Sequence, residues 1–213
     1  MKLNEKFVIT INRELGSGGR TVGCKLAERL GVNYYDKAVI DGLKDKFNLS
    51  TQKVEELKAQ EKSLLSEVKK MFSTFVQNTL PIDMEPSSED IFRTERAILE
   101  RLANQGSCVV AGRSGFLVFR EWDNHLDILI EAPLRQRVER VMRKQGLELE
   151  AAMEAIDKVD KDRETYIQKF YDTSRYDARN YDIVLSMEDI DEEDAVDIIM
   201  EYINRQNKKK DNK

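Results

Sequence analysis

Five short stretches of the chain are apolar, and longer amphipathic or polar segments separate them. The first, "KFVITIN" from Lys6 to Asn12, has the length and β-branched content of a buried strand. "VNYYD", "SCVVAG", "LDILIEA" and "YDIVLS" repeat that signal further along. Between the first two, Val22, Leu26 and Leu30 recur at every fourth position, which is one face of a helix, and Gly31 follows as its stop. The chain therefore opens as strand, loop, helix, strand, the arrangement that feeds a parallel sheet.

From Asp36 to Gln105 the pattern is helical except at "NTLPIDMEPSSED", where Pro81, Pro86 and a serine pair break it. Ser88 caps a helix that carries Ile91, Ile98 and Leu102 and ends near Gly106. Pro133 stands where a helix accepts proline at its first position. In that helix Leu134, Val138, Val141 and Met142 share one arc, while Arg137, Arg140, Arg143 and Lys144 read mainly as the solvated side. The next helix has a stripe of Ala152, Ile156, Val159, Ile167 and Phe170, and Arg163 falls inside it. A guanidinium in an apolar stripe is costly without a partner. Arg163 therefore needs an acid, for which Asp160 is the local candidate, or a phosphate. Asp191, Glu192 and Glu193 suit the positive start of the last helix. The residues after 206 read as a disordered basic tail.

The 213 residues fit one domain, 1–206, with a helical insertion over 50–88. A hydrophobic share of 40% beside 35% charged residues describes a soluble globular chain, and a net charge of −5 argues against a nucleic-acid partner. The two cysteines, Cys24 and Cys108, have no metal or redox spacing and read as buried structural thiols. No leader pattern and no apolar run of membrane-spanning length is present, so a cytoplasmic protein without a membrane partner is expected.

Chemistry concentrates in "TINRELGSGGRTVG", where three glycines and a serine join the first strand to the first helix. Amides converging at a helix N-terminus form an anion site, and glycine permits both positive φ and close approach. Two nucleotide patterns fit in part. Gly16 and Gly18 begin a G-x-G-x-x-G dinucleotide fingerprint, and Asp36 lies at the distance of its ribose-binding acid. However, the long helical stretch that follows does not repeat βαβ promptly. Gly19-Arg20-Thr21 instead matches the G-K-[ST] ending of a phosphate loop, with arginine in the lysine's place.

The order and spacing of "ITINRELGSGGRTVGCKLAERLG", "YYDKAVI", "VVAGRSGFLVF", "ILIEAPLRQRVERV", "VDKDRETY" and "YDIVLS" resemble the cytidylate kinase-like family of P-loop nucleoside monophosphate kinases. The resemblance implies a three-layer α/β P-loop NTPase fold, with a five-stranded parallel sheet, a helical insertion and lid helices. It implies transfer of a phosphoryl group from ATP, with Mg²⁺, to CMP or a related nucleotide. Arg13, Gly16, Ser17, Gly18, Gly19, Arg20 and Thr21 would surround the donor phosphates. Thr21 and Asp36 are the oxygen ligands open to the metal, and Asp36 with Arg113 would meet the acceptor. Lys161 and Arg163 correspond to the family's basic lid segment, with Arg175 and Arg179 as further lid residues. Arg20, Lys161 and Arg163 would act on the transferring group.

Departures from the pattern keep other readings open. Aligned on the family's G-S-G-K-G-T, Gly19 stands at the lysine, so Arg20 or Arg13 would have to replace it. Ser114 replaces the aspartate of G-R-D, and the acceptor-phosphate arginine after Asp36 is missing. These gaps suit a protein that binds nucleotide without turning it over. A dinucleotide enzyme, or a scaffold using the helical stretch 51–76, is the further alternative.

Overall fold

The computed structural model describes residues 1–36, 88–112 and 114–211. Nearly all of the insertion expected over 50–88, the whole of 51–76, and Arg113 lie outside these. All five expected strands form: β1 (Val8–Arg13), β2 (Asn33–Asp36), β3 (Cys108–Ala111), β4 (His125–Glu131) and β5 (Ile183–Ser186). They make one parallel sheet in the order β2-β3-β1-β4-β5, with Ile9 of β1 in register with Val109 of β3 and Leu126 of β4. The helices among the described residues are α1 (Gly19–Leu30), α2 (Ser88–Gln105), α3 (Gly115–Val118), α4 (Leu134–Gln145), α5 (Leu149–Phe170) and α6 (Glu192–Asp211).

Side chains alternate across a strand, so a sheet covered on both faces is apolar throughout. Ile9, Ile11, Val109, Ile128 and Ile130 pack on one face with Val22 and Leu26 of α1 and Val196, Ile199 and Ile203 of α6. Val8, Cys108 and Val110 point the other way, onto Ile98, Leu99 and Leu102 of α2 and onto Phe119. The result is three layers, with β1 at the centre. Its C-terminal end therefore opens into the crevice outside the strand ends, the usual ligand position in an open α/β sheet.

The strand order rules out the dinucleotide alternative. That fold pairs its first strand with its second, whereas here β3 lies between β1 and β2. Asp36 consequently ends an edge strand instead of a neighbour of β1.

Several local readings hold. Gly31 closes α1 in the left-handed region at φ 65°, and its N–H is given to the carbonyls of Ala27 and Glu28. Others need correcting. Pro133 precedes α4 as its cap residue and is not its first helical residue. Cys24 is exposed, on the outer side of α1; only Cys108 is buried, and burial pushes its thiol up to about 12. The stretch expected to fray from residue 207 is helical to Asp211, since "NKKKD" contains neither glycine nor proline to stop α6.

Candidate functional site

The loop from Glu14 to Gly18 is held from below by charged side chains. Glu14 accepts from Arg137 Nη1 at 3.0 Å and from the Ala132 amide at 3.2 Å. The Leu15 amide donates to Asp160 Oδ1 at 3.0 Å, and its carbonyl accepts from Arg137 Nε at 2.9 Å. Ser17 turns inward, fully buried, and donates its hydroxyl to the Glu14 carbonyl at 3.0 Å. Gly16 lies so close to α4 that a Cβ there would come within 2.6 Å of the Arg137 carbonyl oxygen. Gly18 caps α1 at φ 92°, a conformation that any side chain would strain. The first bonds of α1 run from Thr21 and Val22 to the Gly18 carbonyl. The amides of Gly19 and Arg20 precede those bonds, so they are free of the helix ladder and aim at the helix entrance.

Arg137, expected on a solvated face, is buried. Leu134, read as core, is 51% exposed. The helix is rotated so that Arg137 joins Val138 and Val141 on the inner side, because Glu14 and Asp160 wait there. Asp160, itself buried, is shared. It pairs with Arg137 Nη2, with Arg163 Nη1 at 3.1 Å and with Arg175 Nη1 at 3.5 Å. Arg175 is 1% exposed and also donates to Asn12 Oδ1 at 3.2 Å and to the Arg13 carbonyl. Its Nε has no hydrogen-bond partner among the described residues.

Two cavities flank this network. One, of about 200 Å³, is the glycine loop itself, closed by Arg140 and Lys144 of α4. The other, of about 330 Å³, lies beyond β1 and β3 and is walled by Ser114, Phe116, Val159, Tyr166, Ile167 and Arg175. Arg13 and Arg163 line both. Burial, then repulsion from Arg175, holds the Arg163 guanidinium below its ordinary value; burial, then repulsion from Arg163, lowers Arg13 to about 10. Asp162, exposed at the rim, is the acid that joins the second cavity's lining. Ser114 sits at φ 57°, a left-handed conformation that non-glycine residues avoid, directly on that wall.

The structure thus brings Arg13, Gly16, Gly18, Gly19, Arg20, Thr21 and Arg163 around one cavity, and Arg175 beside it. Arg20 is 71% exposed along its side chain, and its Nε pairs with Asp36 Oδ2 at 2.8 Å. Asp36 is buried at the end of β2. Lys161 is not brought in: it is exposed and faces a separate groove on the far side of α5, beside Met153, Asp157 and Tyr176. Arg179 is likewise outside, since its exposed guanidinium folds back on Asp177 at 2.6 Å. Sequence reasoning passed over Glu14, Asn12 and Arg137. The available signal was an acid, Glu14, inside an otherwise anion-binding loop.

A parallel sheet with β1 between β3 and β4, and a glycine loop leading from β1 into α1, defines a P-loop kinase fold. The chain belongs to the cytidylate kinase-like family, whose model matches residues 8–189. It is 27% identical over 183 residues to a cytidylate kinase from Pyrococcus horikoshii, covering 85% of this chain and 80% of that one. It is 28% identical over 200 residues to a cytidylate kinase from Methanopyrus kandleri, covering 90% of each. A 106-residue match, half of this chain, is 37% identical to a uronate isomerase from Corynebacterium glutamicum and spans only 20% of that protein's length. Among solved structures, an uncharacterized protein from Eubacterium ventriosum superposes with a TM-score of 0.63 at 23% identity, over 93% of this chain and 98% of that one. Shikimate kinase from Acinetobacter baumannii gives 0.51 at 14% identity, over 93% of each chain. These likenesses establish the fold, and family membership supports a nucleotide kinase in general. Among the described residues no helix is long and apolar enough to cross a membrane.

Proposed function

We propose that the protein transfers the γ-phosphoryl group of ATP to CMP or a related nucleoside monophosphate. The observation that carries this reading is the wall shared by the two cavities. Arg13 and Arg163 each face both the glycine loop and the pocket beyond β3. A donor phosphate chain on the loop and an acceptor in the second pocket would then meet across two guanidinium groups. Phosphoryl transfer needs little covalent help from a protein; it needs the reactants aligned and the charge on the moving group offset.

In this scheme the amides of Gly18, Gly19 and Arg20 hold the donor's phosphates, and Arg175 stiffens the pocket floor. Asp36 and Arg113 meet the acceptor. Phe116, Tyr166 and Ile167 give that pocket an apolar side suited to a base. Mg²⁺, which takes hard oxygen ligands, fits the donor set at the loop: the Thr21 hydroxyl at the head of α1 and the Asp36 carboxylate. No group of three ligating side chains occurs among the described residues. Phosphate oxygens and water would complete the shell, and the ion's chemistry there is charge neutralisation.

The test is an assay of nucleoside diphosphate formation from ATP, Mg²⁺ and a panel of nucleoside monophosphates. Turnover of a pyrimidine monophosphate is expected. Absence of product across the panel overturns the kinase reading. A second reading, nucleotide binding without transfer, draws on the bare position at Gly19 and on Arg20 being held by Asp36. Calorimetric ATP binding with no product selects it.

A further inference from the structure

We infer that Arg13 supplies the cation that phosphate loops carry on the residue at position 19, and that Gly19 lacks a side chain so that Arg13 can enter. This deepens the nucleotide reading above and rests on it. A Cβ built on Gly19 would lie 2.6 Å from Arg13 Cβ, 3.1 Å from its Cγ and 3.3 Å from Ile130 Cβ. Carbon atoms do not approach so closely, so a side chain at 19 and the Arg13 side chain in its present path exclude one another. The far end of that path is also bordered by glycine. A Cβ on Gly112, which has φ 79°, would fall 1.9 Å from Arg13 Nη1. The two glycines, one on the loop and one after β3, thus bound a slot for a single arginine, running from the base of the loop towards the acceptor pocket.

Electrostatics agrees. Arg137, Arg163 and Arg175 share Glu14 and Asp160, whereas no carboxylate forms an ion pair with Arg13 among the described residues. Burial disfavours its charge and its neighbours Arg163 and Arg175 repel it; these outweigh the attraction of Tyr34 and Asp36 and lower its pKa to about 10. A cation kept in such a place gains most when an anion arrives. The rival stand-in, Arg20, starts one residue too far along and already pairs with the buried Asp36.

Five variants test the exchange: Arg13→Ala, Arg13→Gly, Gly19→Lys, the double variant Arg13→Gly/Gly19→Lys, and Arg20→Ala. Titration calorimetry with ATP and Mg²⁺ should show at least a tenfold loss of affinity for Arg13→Ala and a smaller loss for Arg20→Ala. Gly19→Lys alone should also lose affinity. The double variant should regain most of what either change removes. The steric half needs no ligand: Gly19→Ala should lower Tm in the wild-type background and lower it much less in the Arg13→Gly background, where the Cβ that a side chain at 19 would meet is gone. Wild-type-like ATP binding by Arg13→Ala overturns the inference, as does equal Tm loss from Gly19→Ala in both backgrounds. Failure of wild type to bind any nucleotide overturns the parent reading instead, and would be seen in wild type before any variant is made.

Discussion

Asp160 and Arg137, from helices α5 and α4, form a buried ion pair directly beneath the glycine loop. The same carboxylate receives Arg163, Arg175 and the Leu15 amide. One acid therefore links the loop, α4, α5 and the segment after α5.

Replacing that acid leaves Arg175 and Arg163 without their paired carboxylate and Arg137 with Glu14 alone. Removing one partner of a buried pair costs about 3–5 kcal/mol, because the other charge is left without compensation. Asp160→Asn is expected to lower stability by about that amount in urea unfolding monitored by circular dichroism. A shift in midpoint equivalent to less than about 1 kcal/mol, the scale of an exposed ion pair, would mean the carboxylate does not carry the network.

Arg163 touches both cavities, so its truncation should be felt in the chemical step more than in binding. On the phosphotransfer reading, Arg163→Ala lowers kcat by about 10²–10³-fold, as loss of a preorganised charge-stabilising donor does elsewhere. The Kd for ATP should change far less. Steady-state kinetics beside calorimetry separate the two, and an unchanged kcat would remove Arg163 from the transfer step.

His125 gives a pH signature independent of any ligand. Its imidazole faces Asp127 Oδ2 at 3.3 Å and the Trp122 carbonyl, with Asp182 nearby. The Asp127 hydrogen bond, ahead of the opposing effect of burial, raises its pKa above the ordinary 6.5. A raised folded-state pKa means that the protonated form favours folding. The contribution is complete below pH 6.5 and is lost as pH rises through the folded-state value. Unfolding free energies measured from about pH 5.5 to 8.5 should decline through that window in wild type and less in His125→Gln. Equal slopes would show that the imidazolium is not favoured by the fold.

Much of this could be read from the chain in advance. The strands announced themselves because a sheet covered on both faces leaves unbroken apolar runs. "CVVA" is apolar throughout, "VITIN" departs from that only at Thr10 and Asn12, and Gly31 marked the end of α1 by its position alone. Arg137 could not be read this way. A helical wheel sorts residues by their own character, and what turns α4 inward is a pair of acids, one far upstream and one on the next helix. Cys24 misled for a related reason: α1 packs towards α6 through Val22 and Leu26, and the wheel does not say how wide the covered arc is. The loop's position was plain, while the slot for Arg13 exists only once β1, α1 and the turn after β3 are assembled.

Helix α5 runs for 22 residues, roughly 33 Å at 1.5 Å per residue, and Asp160 falls near its midpoint. An anchor so placed makes the helix a lever on a fulcrum. A tilt of about 5° leaves the salt-linked centre almost still yet swings each tip by about 1.4 Å. The end near Tyr166 and Phe170 would move over the second pocket as the opposite end moves away. Such a tilt would carry the packing of Ile167 on Phe116 and Leu117 with it, while the ion network and the loop stay in place.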